Sequence, residues 1–329
     1  MRAIQIFQPG GPEVLTEVEL PTPQPGPGEI RVKAEAIGVG RPDVLVRKGT
    51  YKWMPPLPAI PGSEMVGTID LLGPGVSGLR TGQRVLVSAR ELSVRGGCCA
   101  EYICVPASAV YVLPHNIDPV DAASLPNLQF ANALWECGPG ARTRAILIPG
   151  VSGGVGSILT RLAQHKGAMV IGTTSSPEKA QFIKSLGVDH LLSGDAPTLP
   201  QAVKDVTEGR GVDFVVDQLG GDALIACLRS LAPMGMLVSI NVITGMPKAD
   251  VFAEMRALLS RSLSLRTFSM HTLDNDANER RRLMNLAIEQ VAQGAVKVPP
   301  SMVLPLSEIR QAHVMLDAGS SQGKIVLQP

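Results

Sequence analysis

The chain has 329 residues, 45% of them hydrophobic, with 30 basic and 29 acidic side chains for a net charge of +1. That balance excludes a disordered polymer, which lacks the apolar side chains to offset chain entropy, and a dedicated nucleic-acid binder, which clusters Lys and Arg against phosphate. Five cysteines (Cys98, Cys99, Cys104, Cys137, Cys227) are too few and too irregular for a disulfide framework in a chain this long.

The N-terminal MRAIQIFQPGG reaches a Gly/Pro break before an apolar signal core can form. No apolar run approaches the ~18 residues of a membrane span. The reading is a cytoplasmic protein with neither a membrane nor a nucleic acid as partner. The run Arg280-Arg281-Arg282 sits beside Asp274, Asp276 and Glu279 and reads as a solvated helix start.

RAIQIF, EIRVKAEAIGV, EMVGTIDLL, QRVLVS and AEYICVP are short β-type runs, separated by turn-rich PTPQPGPG, PPLPAIPG and GPGVSGLRTG. Their spacing predicts an antiparallel, barrel-like β domain. From about Asp121 the rhythm changes. AILI, MVIGT, DHLL, DFVV, MLVSI and LSLRTF alternate with helices predicted near Val155–His165, Glu178–Leu186, Asp222–Leu231 and Val251–Ser260. Strands alternating with amphipathic helices predict an α/β, doubly wound parallel sheet, and six strands match a dinucleotide-binding fold. Helices near Asn278–Ala292 and Glu308–Leu316 and the strands MVLPL and GKIVL then return to the first domain. The expected boundaries are 1–122 with 269–329, and 123–268.

The strongest local signal runs from Ala145 to Gly167, AILIPGVSGGVGSILTRLAQHKG. A strand ends, glycines turn the chain, and a helix opens near Val155. Gly150, Gly153 and Gly156 allow close backbone approach to a pyrophosphate, which free N–H groups and the positive helix end stabilise. Ser152, Gly154 and Val155 complete that turn. Val151 stands where the usual fingerprint has a glycine. NAD-preferring sites place an acidic residue roughly 20 residues further on, against the ribose hydroxyls. Here the strand ends Thr173-Thr174-Ser175-Ser176, and Lys179 follows as a point charge for a 2′-phosphate. Thr174, Ser175 and Lys179 therefore point to NADPH.

At this point the residues resemble a family. MRAIQIFQPGGPEVL, PAIPGSEMVGTI, GGCCAEYICVP, the glycine loop with GTTSSPEKAQFIKSLGVDHLL, VDFVVDQLGG and the final GKIVL resemble the medium-chain dehydrogenase/reductases, in order and over essentially the whole chain. The resemblance implies a GroES-like β-barrel catalytic domain, a Rossmann cofactor domain and an active site in the cleft between them. Within the family the chain is similar to the zinc-independent quinone oxidoreductase (zeta-crystallin-like) branch. Zinc-dependent members carry a Cys and a G-H-E motif where this chain has Gly40 and Ser63, although Glu64 remains; Gly and Ser cannot replace the N or S ligands of Zn²⁺. The four-cysteine zinc lobe is also missing. The chain departs from its branch at Gly40, where Asn is common, at Gly194, where Tyr is frequent, and at Ala131-Asn132-Ala133, where Thr-Ala-Tyr is familiar.

What the resemblance implies is hydride transfer from NADPH to a quinone or an α,β-unsaturated carbonyl, followed by protonation, with conjugation rather than a Lewis acid stabilising the developing charge. Tyr51 matches a region where enoyl thioester reductases place a proton-donating Tyr. Asp43 and Arg41, at the start of the helix that carries Val44 and Leu45, are the other catalytic candidates: Asp43 through its carboxyl, Arg41 as a grip on an anionic substrate. Asn241 falls in the region that contacts the nicotinamide amide, and Lys324 in a C-terminal segment near the cofactor. Two alternatives stand beside the quinone or enone reductase: a trans-2-enoyl thioester reductase, and a low-turnover NADPH-binding scaffold protein. The edge strand LSLRTF predicts a homodimer.

Overall fold

The structure, a computed structural model, describes residues 1–329. The chain forms two compact units: Met1–Pro126 with Met284–Gly294 and Pro300–Pro329, and Asn127–Leu283 with Ala295–Pro299.

The first unit opens with β1 (Arg2–Gln5), β2 (Thr16–Glu19) and the long β3 (Glu29–Val39). Helix α1 (Arg41–Arg47), β4 (Glu64–Leu72), β5 (Arg84–Ser88), β6 (Tyr102–Pro106), β7 (Val110–Val112) and α2 (Pro119–Ala122) follow. β3 begins with one face buried and becomes continuously buried from Ala36 to Val39 as it enters the interior. Register shifts at Arg31/Val32 and Ala34/Ala36 bend it against β4. Ile30, Val32, Ile37, Met65, Ile69, Val85 and Val87 form the core between the strands, each fully buried aliphatic contributing roughly 1.5–3 kcal/mol.

The second unit begins with α3 (Leu125–Cys137) and β8 (Ala145–Pro149), then α4 (Gly154–His165), β9 (Met169–Thr174), α5 (Ala180–Ser185) and β10 (His190–Ser193). It continues through α6 (Leu199–Val206), β11 (Val212–Asp217), α7 (Gly221–Arg229), β12 (Leu231–Ser239), α8 (Val251–Ala257) and β13 (Ser264–Thr267). The six strands lie in the order β10-β9-β8-β11-β12-β13, all parallel. Counted within this sheet the order is 3-2-1-4-5-6, the doubly wound arrangement whose strand order reverses beside its first strand. All five residues of β8 are buried, as helices on both faces of a parallel sheet require.

Helix α9 (Ala277–Ala292) is divided between the units, and β14 (Met302–Pro305), α10 (Ile309–Asp317) and β15 (Ile325–Gln328) return to the first. The main sheet of that unit runs β14-β15-β3-β4-β5-β7, with β6 also on β3. The antiparallel expectation holds except at one pair. β14 and β15 are parallel, because α10 connects them as a crossover rather than a hairpin turn.

Three other differences have local causes. The predicted Glu178–Leu186 helix is shorter: Pro177–Lys179 is a tight 3-10 turn and α5 starts only at Ala180. Helix α6 is not among the predicted helices; its Pro200 sits in the first turn, where its missing N–H costs nothing. Helix α3 is buried along much of its length, which removes the polar stripe that would betray its period.

Candidate active site

The glycine turn follows β8. Gly150 takes φ +65°, a conformation open to glycine, and the Gly153 N–H donates to its carbonyl at 3.2 Å. Gln218, just beyond β11, donates through Nε2 to the carbonyls of Pro149 (3.1 Å) and Gly150 (2.9 Å), tying the turn to the neighbouring strand. Gly156 lies on Val151: a Cβ there would stand 2.8 Å from the Val151 carbonyl oxygen. The missing side chain lets α4 start tight against the strand end. At Gly153 the situation differs, since an added Cβ would meet only ordinary contacts at 3.7 Å and 3.9 Å. The amides of Gly154, Val155 and Gly156 have no acceptor in the protein, and α4 adds the positive end of its dipole. A cradle bounded by glycines with free N–H groups fits a pyrophosphate.

At the end of β9, the Thr174 hydroxyl accepts from the Ser176 N–H at 3.1 Å, and Ser175 is exposed. No carboxylate occupies this strand end. Lys179 is half-buried, and burial lowers its pKa from the ordinary lysine value while Glu178 opposes that shift. Lys179 closes the tight turn before α5 rather than lying in the helix. Asn241 follows β12 and folds on its own loop, accepting from the Val242 N–H at 2.9 Å. Asp217, fully buried at the end of β11, accepts from the amides of Leu219 (3.0 Å) and Gly220 (3.1 Å), and burial raises its pKa. Gln218 and Asp217 are not candidates from the sequence; their place at the mouth of the sheet is a signal only once strand order is known.

The first unit gathers a second group. Asp43 is 1% exposed. One of its oxygens accepts from the Gly40 N–H and the other from the Ser63 hydroxyl, both at 2.8 Å. The first bond closes the start of α1 in the manner of a capping box. Gly62, at φ +108°, packs on Cys98 and Cys99 and turns the chain so that Ser63 faces Asp43. Next to it Glu64 forms a buried ion pair with Lys324. Gly38 makes room for this pair, since a Cβ there would lie 2.7 Å from Glu64 Cγ and 2.8 Å from Lys324 Cε. Burial, then the nearby Glu64 carboxylate, push Asp43 up to about 6, against the hydrogen bonds from Gly40 and Ser63 and the Lys324 charge. The buried Cys98 and Cys99 thiols are raised well above their ordinary value by burial and by these same carboxylates.

Lys324, expected toward the cofactor, is thus the counter-ion of Glu64. Arg41, at the first position of α1, is half-buried and has no ion-pair partner. The Tyr51 N–H donates to the Leu45 carbonyl at 3.2 Å, and its ring packs on the core 5.7 Å from that of Trp53. Trp53 in turn lies 5.1 Å from Lys52 Nζ and 5.0 Å from Arg95 Cζ. The structure brings Asp43 together with Ser63, Glu64 and Lys324, not with Tyr51.

Two family models match the chain: an alcohol dehydrogenase GroES-like domain over residues 26–115 and a zinc-binding dehydrogenase over residues 154–289. A quinone oxidoreductase of Salmonella typhimurium is 30% identical over 335 residues, covering 99% of both proteins. The chain belongs to the quinone oxidoreductase branch of the medium-chain dehydrogenase/reductases. Among solved structures of this family, a mycobacterial protein complexed with NADPH is 34% identical with a TM-score of 0.87, each chain covered in full. Escherichia coli quinone oxidoreductase, also complexed with NADPH, is 26% identical with a TM-score of 0.83 over the full length of both. The family's zinc does not fit here. Gly40 and Ser63 offer neither thiolate nor imidazole, Lys324 Nζ lies 3.7 Å from where a Gly40 Cβ would stand, and no three His, Cys, Asp or Glu side chains converge to hold a metal ion. No helix is long and apolar enough to cross a membrane.

Proposed function

We propose that this quinone oxidoreductase relative reduces a quinone or an α,β-unsaturated carbonyl with NADPH and without a metal ion. The end of β9 carries the reading: hydroxyls of Thr174 and Ser175, then the half-buried Lys179, stand where a carboxylate would repel a 2′-phosphate. The relatives solved with NADPH support the same cofactor. When bound, NADPH supplies the hydride. The amides of Gly154, Val155 and Gly156 hold the pyrophosphate, Ser152 and Gly153 line its approach, and Lys179 neutralises the 2′-phosphate. Asn241 flanks the nicotinamide. In the first unit Arg41 grips an anionic group of the substrate and Tyr51 bonds the carbonyl in this reading. A conjugated acceptor suits a site without a Lewis acid, because its developing negative charge is delocalised.

The test is NADPH oxidation across 1,4-quinones, small enones and crotonyl-CoA, repeated with NADH and joined to calorimetry on Lys179→Glu. The substitution is expected to weaken NADPH at least about tenfold, or ~1.4 kcal/mol, and NADH by much less. Equal loss for both coenzymes would remove the phosphate role of Lys179.

A second reading, an enoyl thioester reductase, is favoured by one comparison. A segment spanning 14% of a phenolphthiocerol/phthiocerol polyketide synthase of Mycobacterium tuberculosis matches 98% of this chain at 27% identity. Preferred turnover of crotonyl-CoA selects it. Tight NADPH binding without turnover of any acceptor selects a scaffold role. The chain is also read as a homodimer joined along β13, whose outer edge is unpaired in the six-stranded sheet.

A further inference from the structure

The two buried carboxyls of the first unit share a single buried ammonium. Glu64 takes Lys324 as its ion-pair partner. Asp43 is left with an amide and a hydroxyl, Gly40 N–H and Ser63 Oγ, each 2.8 Å away. The other cations of its helix do not serve it: Arg47 pairs with Asp317 at 2.6 Å, and Arg41 makes no ion pair. The remaining ionisable groups nearby, Cys98 and Cys99, are buried thiols kept neutral. A carboxylate buried without a cation of its own is costly, so such a group holds its proton to higher pH than a free carboxyl does.

Ser63 differs from its neighbours in one respect. Asp43 is 1% exposed and Glu64 is 7% exposed, whereas Ser63 is only part-buried. When Asp43 is ionised, the Ser63 hydroxyl donates inward to it. When Asp43 is protonated, that bond reverses, the carboxyl donates to Ser63 Oγ, and the Ser63 hydrogen is free to point outward.

We propose that Ser63 delivers the proton that completes reduction of the conjugated carbonyl and that Asp43 resupplies it. The inference rests on the reductase reading above. Hydride, carrying two electrons, adds to the β-carbon and leaves an enolate. A C–H bond then forms at the α-carbon as the Ser63 O–H bond breaks. The Asp43 carboxyl passes its proton to the Ser63 oxygen, and solvent returns one to Asp43. One hydride and one proton are consumed for each acceptor reduced. Ser63 is the proton donor; Asp43 is a positioning and supply residue acting through it. The rise of the Asp43 pKa to about 6 agrees with this role.

Ser63→Ala is expected to lower kcat about 10²-fold with an enone or enoyl thioester, leaving the KM for NADPH unchanged and raising the solvent deuterium isotope effect as protonation becomes limiting. Ser63→Thr, which retains a hydroxyl, recovers most of the loss. In the wild type kcat falls above about pH 6, and Asp43→Asn, isosteric and still able to accept from Gly40, abolishes that limb. Infrared difference spectra of the coenzyme-free protein supply a second readout: a protonated-carboxyl band below about pH 6 that is missing in Asp43→Asn. Wild-type kcat and an unchanged pH profile in Ser63→Ala would overturn the relay, as would the absence of that band. A wild type inert toward every acceptor defeats the reductase reading instead, while the infrared band still reports whether Asp43 holds its proton.

Discussion

His313, in α10, is fully enclosed, and neither ring nitrogen has a hydrogen-bond partner. Burial first, then the nearby Arg47 charge, lower its pKa from 6.5 to about 4. The unfolded chain binds the proton at higher pH than the folded one, so the stabilisation of the neutral ring is complete above about 6.5 and is lost as pH falls toward 4. The shift corresponds to a loss on the order of 3 kcal/mol. Asp43 works in the opposite sense, because its raised pKa costs stability as pH rises from 3.8 through about 6. Comparison with His313→Leu separates the two. Urea unfolding should show the variant no less stable at neutral pH and progressively favoured over wild type on acidification. Parallel curves would mean that His313 does not titrate this way. Such roles are not legible in the sequence. His313 is one of five histidines without metal-like spacing, and only the packing of α10 on α1 shows that it is enclosed. Gly40 and Ser63 are legible as the positions where zinc-dependent relatives place ligands, but the Ser63 bond to Asp43 depends on the turn at Gly62, whose conformation no motif records.

Helix α4 offers the sharpest contrast at the level of an element. Gly156→Ala drives a methyl to 2.8 Å from the Val151 carbonyl oxygen and is expected to cost about 1–3 kcal/mol as the helix is pushed from the strand end. Gly153→Ala meets only contacts of 3.7 Å and longer, with φ at −71°, so thermal unfolding should be unchanged. Its methyl enters the cradle instead, and calorimetry should show NADPH binding weakened more than tenfold, or ~1.4 kcal/mol. Equal thermal losses in both variants would contradict this division between packing and binding. The glycines stand out because their spacing falls between a continuous apolar strand and an amphipathic helix. Those strand and helix bounds transfer well: the predicted Val155–His165 is α4 at Gly154–His165. α3 and α6 have no predicted counterpart, since one hides its polar stripe by burial and the other carries Pro200 in its first turn. Lys179 belongs to the turn rather than the helix for a related reason, with Pro177 tightening the chain ahead of α5.

For the whole molecule the prediction concerns association. β13 borders only β12, its residues are largely exposed, and nearby α8 presents Phe252 at 73% exposure. A strand edge and an aromatic left to water favour pairing with a second copy. Sedimentation should give a dimer at micromolar concentration, shifted toward monomer by Phe252→Glu; a wild-type monomer would reject the edge-strand homodimer. The two-unit plan is readable from the change of rhythm near Asp121, and the return of the tail from its strand composition, but not the parallel pairing of β14 with β15. That pairing bears on how the protein comes to be folded. Ile325–Leu327 pair with Ile37–Val39 of β3, so the first unit's sheet is joined by chain made almost 300 residues later. Its hydrophobic interior stays open on that side during synthesis, while every strand of the parallel sheet has already emerged. The nucleotide-fold unit is therefore able to mature on the ribosome, and the unit synthesised first is the one completed last.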